Sequence, residues 1–360
     1  MNKLQCYAAM SWNSYIGPKK FTQIIESFGE VEKFFELKPS QQMEFLNVKG
    51  EKAIPVFEKM AEEGSRIIEQ CEKRGIKTLS IDEEGFPVKL RDIPDPPFLL
   101  YYYGELNFSI PLLAIVGTRD VSYDGEVVNK YFTHEISGYN IGIVSGLALG
   151  HDSIAQRTVI ENGGYTIAVL GSGVDVAYPQ KNSALYRDIK ATGAIISEFP
   201  PGTRPERWHF PYRNRVISGL AEIVLVIQAP EKSGALITAN YAIEQGKPLY
   251  VVPGSPMDKS SAGTNALINK GAKVALNPHE IVIELVGQVP NRKKPRSLED
   301  IPELSGKERL ILENMKHQLH IDEIANITEI PIAELNSLLV QMELNGFVTQ
   351  YPGRYYERNV

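Results

Sequence analysis

Two cysteines in 360 residues, Cys6 and Cys71, leave no material for a disulfide framework or a thiolate zinc cluster. The six histidines contain no HExxH or comparable ligand spacing. No apolar run reaches the length needed to cross a bilayer, and the N-terminus lacks the basic-then-apolar pattern of a signal peptide. A cytoplasmic protein without a membrane partner is therefore expected. A GxxxxGK[ST] phosphate loop is also missing, which argues against ATP hydrolysis through that device. Excess positive charge is missing too: the formal net charge is -6, and residues 301–360 set 5 Lys and Arg against 9 Asp and Glu. That excludes a wholly basic coat for nucleic acid, but not a local groove built from a few placed cations.

What is present is ample apolar material, 43% of the chain, enough for two or three domains. Residues 1–109 read as a helical N-terminal domain plus connector, with the Gly17-Pro18 turn in "WNSYIGPKKFTQII" as a possible helix-hairpin-helix element. From Pro111 the runs "LLAIVG", "IGIVSG", "TIAVLG", "GAIISE", "EIVLVI" and "PLYVVPG" alternate with helical patterns. Continuous apolar strands at crossover spacing predict an α/β core over 110–287, with a mainly parallel, Rossmann-like sheet covered by helices on both faces. Residues 288–304 read as a polar linker carrying a basic cluster. In 305–360, three helical patterns and a hairpin turning at Pro352-Gly353 predict a winged helix.

Three loops follow core strands: "VGTRDVS" with Gly117 and Arg119, "SGLALGHD" with Ser145, Gly146 and Gly150, and "GSGVDVAYP" with Gly171, Gly173 and Asp175. At the carboxyl ends of parallel strands, glycines let backbone N–H groups approach an anion, and Arg119 adds a charged fork. Tight strand-to-helix turns explain each glycine equally well. Val176 stands where a dinucleotide fingerprint would place a third glycine, so no nucleotide cofactor is expected. In "PGTRPERWHFPYRNRVISGL", Arg204, Arg207, Arg213 and Arg215 interleave with Trp208, Phe210 and Tyr212, suiting phosphates and bases respectively. Arg215 is also open to an internal ion pair, and the aromatics to closing the core. Lys181 and the Ser233-Gly234 loop extend the same rim, although Ser233 and Gly234 equally suit a helix cap. Asn265 and Lys270 reach toward the Gly254–Gly263 loop or simply close the surface.

No convincing catalytic set emerges. His151-Asp152 lies near Ser145, but adjacency in sequence does not make a triad.

The motifs "AIVGTRDVS", "IVSGLALGHDSIAQ", "TIAVLGSGVDVAYPQKN", "ISEFPPGTRPERWHFPYRNRVISGL", "SGALITANYAIEQGKPLYVVPG" and "GTNALINKGA" together resemble the bacterial DNA-processing protein A family, also called DprA or Smf. The resemblance spans nearly all of 112–276 in one order. It implies a non-enzymatic protein that binds and protects incoming single-stranded DNA and loads the RecA recombinase during natural transformation, with duplex bound more weakly and a homodimer formed through the core. The positions matching the family's DNA-contact pocket are Gly117, Arg119, Gly171, Gly173, Lys181, Arg213 and Arg215, with Ser145, Gly146, Asn214 and Gly234 beside them. Two departures stand out: His151 replaces the isoleucine of the usual SG-x-A-x-GID run, and Gln156 replaces the histidine of its Ala-His pair. Other readings are a phosphoribohydrolase-like enzyme or a winged-helix transcription regulator. The former is expected to carry PGGxGTxxE, whereas this chain places a longer insert between Gly254 and Gly263-Thr264-Asn265.

Overall fold

The computed structural model describes residues 1–287, 304–315, 317–344, 347–351 and 353–358. The chain forms two compact units, Met1–Val289 and Pro290–Val360. Apart from residue 304, the expected linker lies outside the described residues.

The first unit opens with helices α1 (Lys3–Trp12), α2 (Pro18–Phe28), α3 (Val31–Phe35), α4 (Pro39–Phe45) and α5 (Ile54–Arg74). The Gly17-Pro18 break separates α1 from α2. Pro18 occupies the first helical turn, where its missing N–H costs nothing. Then follow β1 (Lys77–Ser80), α6 (Val88–Arg91) and β2 (Leu99–Gly104). The alternating passage comprises β3 (Leu112–Val116), α7 (Tyr123–Ser137), β4 (Gly142–Ser145), α8 (His151–Glu161), β5 (Thr166–Val169), α9 (Ser183–Thr192) and β6 (Ala194–Ser197). It continues through α10 (His209–Leu220), β7 (Ile223–Val226), α11 (Ala235–Glu244), β8 (Leu249–Val251), α12 (Ala262–Asn269), β9 (Lys273–Val274) and α13 (Pro278–Val286).

These strands make one sheet in the order β1-β2-β6-β5-β4-β3-β7-β8-β9. From β6 to β9 every neighbouring pair is parallel, while β2 joins β6, and β1 joins β2, antiparallel. Two of the nine strands thus come from before residue 110, in a passage whose sequence reads as a connector. The parallel strands are apolar throughout because both faces are covered. Along β3, Leu112, Ala114 and Val116 face Val216, Ile217 and Leu220 of α10, together with Ala235 and Ala239 of α11. Leu113 and Ile115 face the other way, toward Phe132 and Ile136 of α7, Val159 of α8 and Ile281 of α13. The N-terminal helices pack Phe21, Phe34 and Phe57 into a cluster with Tyr101 of β2 and Ile189 of α9.

The chain builds β3 to β6 outward in one direction, then returns through α10 to start β7 on the other side of β3. Between β3 and β7 lies the topological switch point, where open parallel sheets collect ligands at their carboxyl ends.

The second unit contains α14 (Gly306–Asn314), β10 (Leu319–His320), α15 (Ile321–Thr328), α16 (Ile332–Leu344), β11 (Val348–Tyr351) and β12 (Tyr355–Arg358), with a sheet ordered β10-β12-β11. Ile311, Ile321, Ile324, Leu335 and Leu339 bury together beneath it. Pro352 of the expected turn lies outside the described residues; Gly353 has φ +85°, a left-handed conformation suited to glycine.

No helix among the described residues is long and apolar enough to cross a membrane.

Candidate functional site

At the carboxyl ends of β3, β4 and β5, the loops that follow these strands and the first two turns of α10 enclose a small cavity of about 60 Å³. Its walls are Arg119, Gly146, Ala148, Leu149, Tyr178, Pro179, Phe210 and Arg213. Arg119 is exposed, with its guanidinium 5.9 Å from the Phe210 ring centroid. The Phe210 and Tyr178 rings lie 5.4 Å apart.

Arg213 is 4% exposed. Its Nη1 donates to the carbonyls of Gly146, at 2.9 Å, and Val169, and its Nε donates to Asn214 Oδ1 at 3.2 Å. These neutral acceptors fix the guanidinium without cancelling its charge. Burial pushes its pKa down to about 10, opposed by Asp152, so it stays charged at neutrality. Gly146 is required here: a Cβ would stand 2.6 Å from Arg213 Nη2 and 2.8 Å from Asp152 Oδ2. Asp152, buried beside it, accepts the Gly146 N–H at 3.0 Å. Desolvation raises its pKa against the pull of Arg213.

The other expected residues fall into distinct positions. Lys181 is exposed at the 180–182 turn, two residues beyond the cavity wall. Asn214 holds Arg213 and donates weakly to the Gly234 carbonyl at 3.4 Å. Gly234 itself is exposed as the N-cap of α11, and Ser233 Oγ, one residue earlier, accepts the Ala235 N–H at 3.2 Å. Ser145 is buried, with its hydroxyl donated to the Ile115 carbonyl at 2.6 Å. Gly171 is buried and Gly117 half-buried, and neither leaves room for a side chain. A Cβ on Gly117 would meet the His151 ring at 2.5 Å, and one on Gly171 would meet Phe210 at 3.0 Å. Gly173 packs against the 200–202 turn, where Asp175 accepts the Gly202 N–H and pairs with Arg74. Asn265 closes its own loop through both the N–H and the carbonyl of Gly254.

Arg215 does not line the cavity. It is 2% exposed and forks onto Glu198 with contacts of 2.5 and 2.6 Å, while its guanidinium lies 3.9 Å from the Tyr212 ring centroid. Of the two alternatives open from sequence, the internal ion pair is the arrangement found. Glu198, its partner, has no sequence signal that separates it from the other acids.

His151, Asp152 and Ser145 form no relay. His151 Nδ1 faces Asn129 at 3.0 Å and its Nε2 faces Gln228 Oε1 at 3.4 Å, and burial lowers its pKa to about 4. Gln156 donates to the Ile167 carbonyl, tying α8 to β5. Both departures from the family pattern therefore act in packing, away from the cavity lining. No group of three or more His, Cys, Asp or Glu side chains is arranged to hold a metal among the described residues. A larger groove of about 560 Å³ lies over α4 and α5, lined by Lys38, Pro39, Ser40, Met43, Glu44, Val48, Ile54 and Glu58. It holds none of the residues that the motifs point to.

Comparison with known proteins names this arrangement. Residues 77–286 match the family described as DNA recombination-mediator protein A, and residues 294–354 match the DprA winged helix domain. The chain belongs to the DNA recombination-mediator protein A (DprA) family. It is 33% identical over 334 residues to Protein Smf of Synechocystis sp., covering 81% of this chain and 83% of the relative. It is 40% identical over 222 residues to DNA processing protein DprA of Bacillus subtilis, covering 61% and 75% respectively. The structure of DprA from Streptococcus pneumoniae superposes with a TM-score of 0.67 at 32% identity, covering 78% of this chain and 96% of that one. That of DNA processing protein A from Helicobacter pylori, described for its single-stranded DNA binding mode, gives 0.54 at 32%, covering 59% and 96%. The DprA match includes β1 and β2, the two antiparallel strands that precede residue 110.

Proposed function

We propose that this DprA-family chain binds single-stranded DNA by its phosphates at the carboxyl ends of β3, β4 and β5 and acts as a recombination mediator. The observation that carries the reading is the convergence of Arg119 and Arg213 on one small mouth at the carboxyl ends of these strands. One cation is exposed and adaptable, while the other is buried and held by neutral acceptors. Lys181 extends the positive rim, and Gly146 keeps the backbone close to Arg213. Phosphate recognition of this kind tolerates any base sequence. A cavity of about 60 Å³ takes one small anionic group. Pockets that enclose a whole drug-sized ligand run from about 300 Å³ upward, so the size favours a strand passing the mouth over an enclosed nucleotide substrate. Arg215 then serves as a positioning residue, anchoring α10 so that Arg213 points correctly.

In this reading the parallel strands are a Rossmann-like platform and the C-terminal unit a winged helix used for protein or domain contact. A homodimer doubles the short footprint, and the held strand is delivered to the RecA recombinase. The test is salt-dependent binding of matched single- and double-stranded oligonucleotides to the wild type and to Arg119→Ala/Lys181→Ala. The double variant is expected to lose about tenfold or more in single-strand affinity and to show a shallower salt dependence, by about 0.7 of a log unit per lost phosphate contact. Unchanged affinity and slope in a folded double variant would refute the site.

A further inference from the structure

The aromatic and basic residues of the loop before α10 are not accounted for by the cavity. Trp208, at the N-terminal boundary of α10, is 56% exposed. Single exposed apolar side chains are ordinary, so exposure alone decides nothing. This indole, however, is held in place. Its Nε1 donates to Glu206 Oε2 at 2.7 Å, and it meets Phe199 and His209 edge-to-face at centroid distances of 6.1 and 4.1 Å. His209 is itself fixed through Nδ1 to the Gly171 carbonyl at 3.1 Å. A ring presented rigidly to solvent loses little conformational entropy on binding.

Arg204 and Arg207 are both exposed, and among the described residues no carboxylate pairs with either. The nearby carboxylate in the loop, Glu206, is engaged by the indole N–H. Two residues beyond Trp208, Phe210 walls the Arg119–Arg213 cavity. The loop thus continues the anion site with the pairing that single strands demand, cations for phosphates and an exposed aromatic ring for bases.

Building on the phosphate-site reading above, we propose that Trp208, flanked by Arg204 and Arg207, is a base-stacking station for the strand that leaves the Arg119–Arg213 cavity. Duplex bases are already stacked on one another, so the station selects unpaired strands without reading their sequence.

Trp12 and Trp208 are the two tryptophans of the chain, so Trp12→Phe leaves Trp208 as the sole indole reporter. Oligo-dT is expected to quench its emission, whereas an abasic strand of equal length and a duplex leave it largely unchanged. Trp208→Ala is expected to lower oligo-dT affinity about 5- to 30-fold. Its affinity for the abasic strand should match the wild type, and Trp208→Phe should keep most of the oligo-dT affinity. Wild-type affinity for oligo-dT in Trp208→Ala, with binding still lost in Arg119→Ala, would overturn the station and leave the phosphate site standing. Unchanged binding in both variants would overturn the phosphate site itself. Emission that shifts with protein concentration and not with DNA would assign this face to self-association and equally overturn the station.

Discussion

Arg213 and Arg215 lie two residues apart on α10 and are both buried, yet their surroundings serve opposite ends. Around Arg215 the charge is matched: Nη1 and Nη2 fork onto a carboxylate, Nη1 also reaches the Tyr212 carbonyl at 3.3 Å, and an aromatic face lies alongside, while Nε is buried without a partner. Burial alone would lower its pKa, but Glu198 outweighs that and holds it above the ordinary value. Around Arg213 the direct acceptors are carbonyl and amide oxygens, and the nearby Asp152 spends its Oδ2 on the Gly146 N–H. A guanidinium closed by a carboxylate has no charge left to offer. One closed by neutral acceptors keeps its charge and can aim it at a ligand. Under the proposed reading, the charge of the partner, rather than burial, separates a structural arginine from a binding one.

The contrast is broken most forcefully at Glu198. Glu198→Ala leaves the Arg215 guanidinium buried and unpaired, a change expected to cost about 3–5 kcal/mol of stability. Urea denaturation should show that loss, while the remaining folded protein binds single strands close to normally. Normal stability in this variant would mean that the Arg215 pair does not anchor α10. At Arg213 the balance is reversed. Arg213→Lys keeps a charge but cannot reproduce the planar group whose Nη1 serves Gly146 and Val169 while its Nε serves Asn214. Its expected signature is a stability change of about 1–2 kcal/mol with single-strand affinity down about tenfold in oligonucleotide titrations. A variant that loses stability as heavily as Glu198→Ala but binds normally would make Arg213 structural like its neighbour.

The sequence shows that the two arginines exist but not which is which. Strands β3 to β8 are legible because covering both faces of a parallel sheet demands unbroken apolar runs, and "LLAIV", "GIVS", "TIAV", "AIIS", "IVLV" and "LYV" supply them in order. Arg119 after β3 is legible for the same topological reason. Glu198 is not, because a partner 17 residues from Arg215 is chosen by the path of the loop between β6 and α10. The start of α10 is not marked in the sequence, because Pro211 lies within "HFPYRNR". In the structure it falls in the first helical turn, where no intrahelical donor is lost. Strand β2 escaped because its pairing with β6 is long-range, and "LLYYYG" follows a cluster of prolines that reads as connector. Gly117, Gly171 and Gly173 signal close approach correctly, but what approaches is protein: His151, Phe210 and the 200–202 turn.

The smallest expected effect sharpens the contrast from the side of Asp152, the carboxylate nearest to Arg213 without pairing it. Asparagine at this position keeps an oxygen for the Gly146 N–H, removes the charge and turns the second oxygen into an amide donor. If Asp152 partly offsets the field of Arg213 and Arg119, Asp152→Asn should bind single strands about three- to tenfold more tightly at low salt, and the gain should shrink as salt rises. The sign is the useful feature, since a merely structural role predicts weaker binding. Stability follows with its own sign. The folded-state pKa of Asp152 is raised, so its contribution is fully present below the unfolded carboxylate value and is lost as pH climbs through the raised one. Asp152→Asn removes that loss. Its melting temperature relative to the wild type should therefore increase from acid toward neutral pH, measured by thermal denaturation across that range. A flat difference, or tighter wild-type binding at every salt concentration, would show that Asp152 and Arg213 do not share a field and that the open charge of Arg213 is set by its carbonyl partners alone.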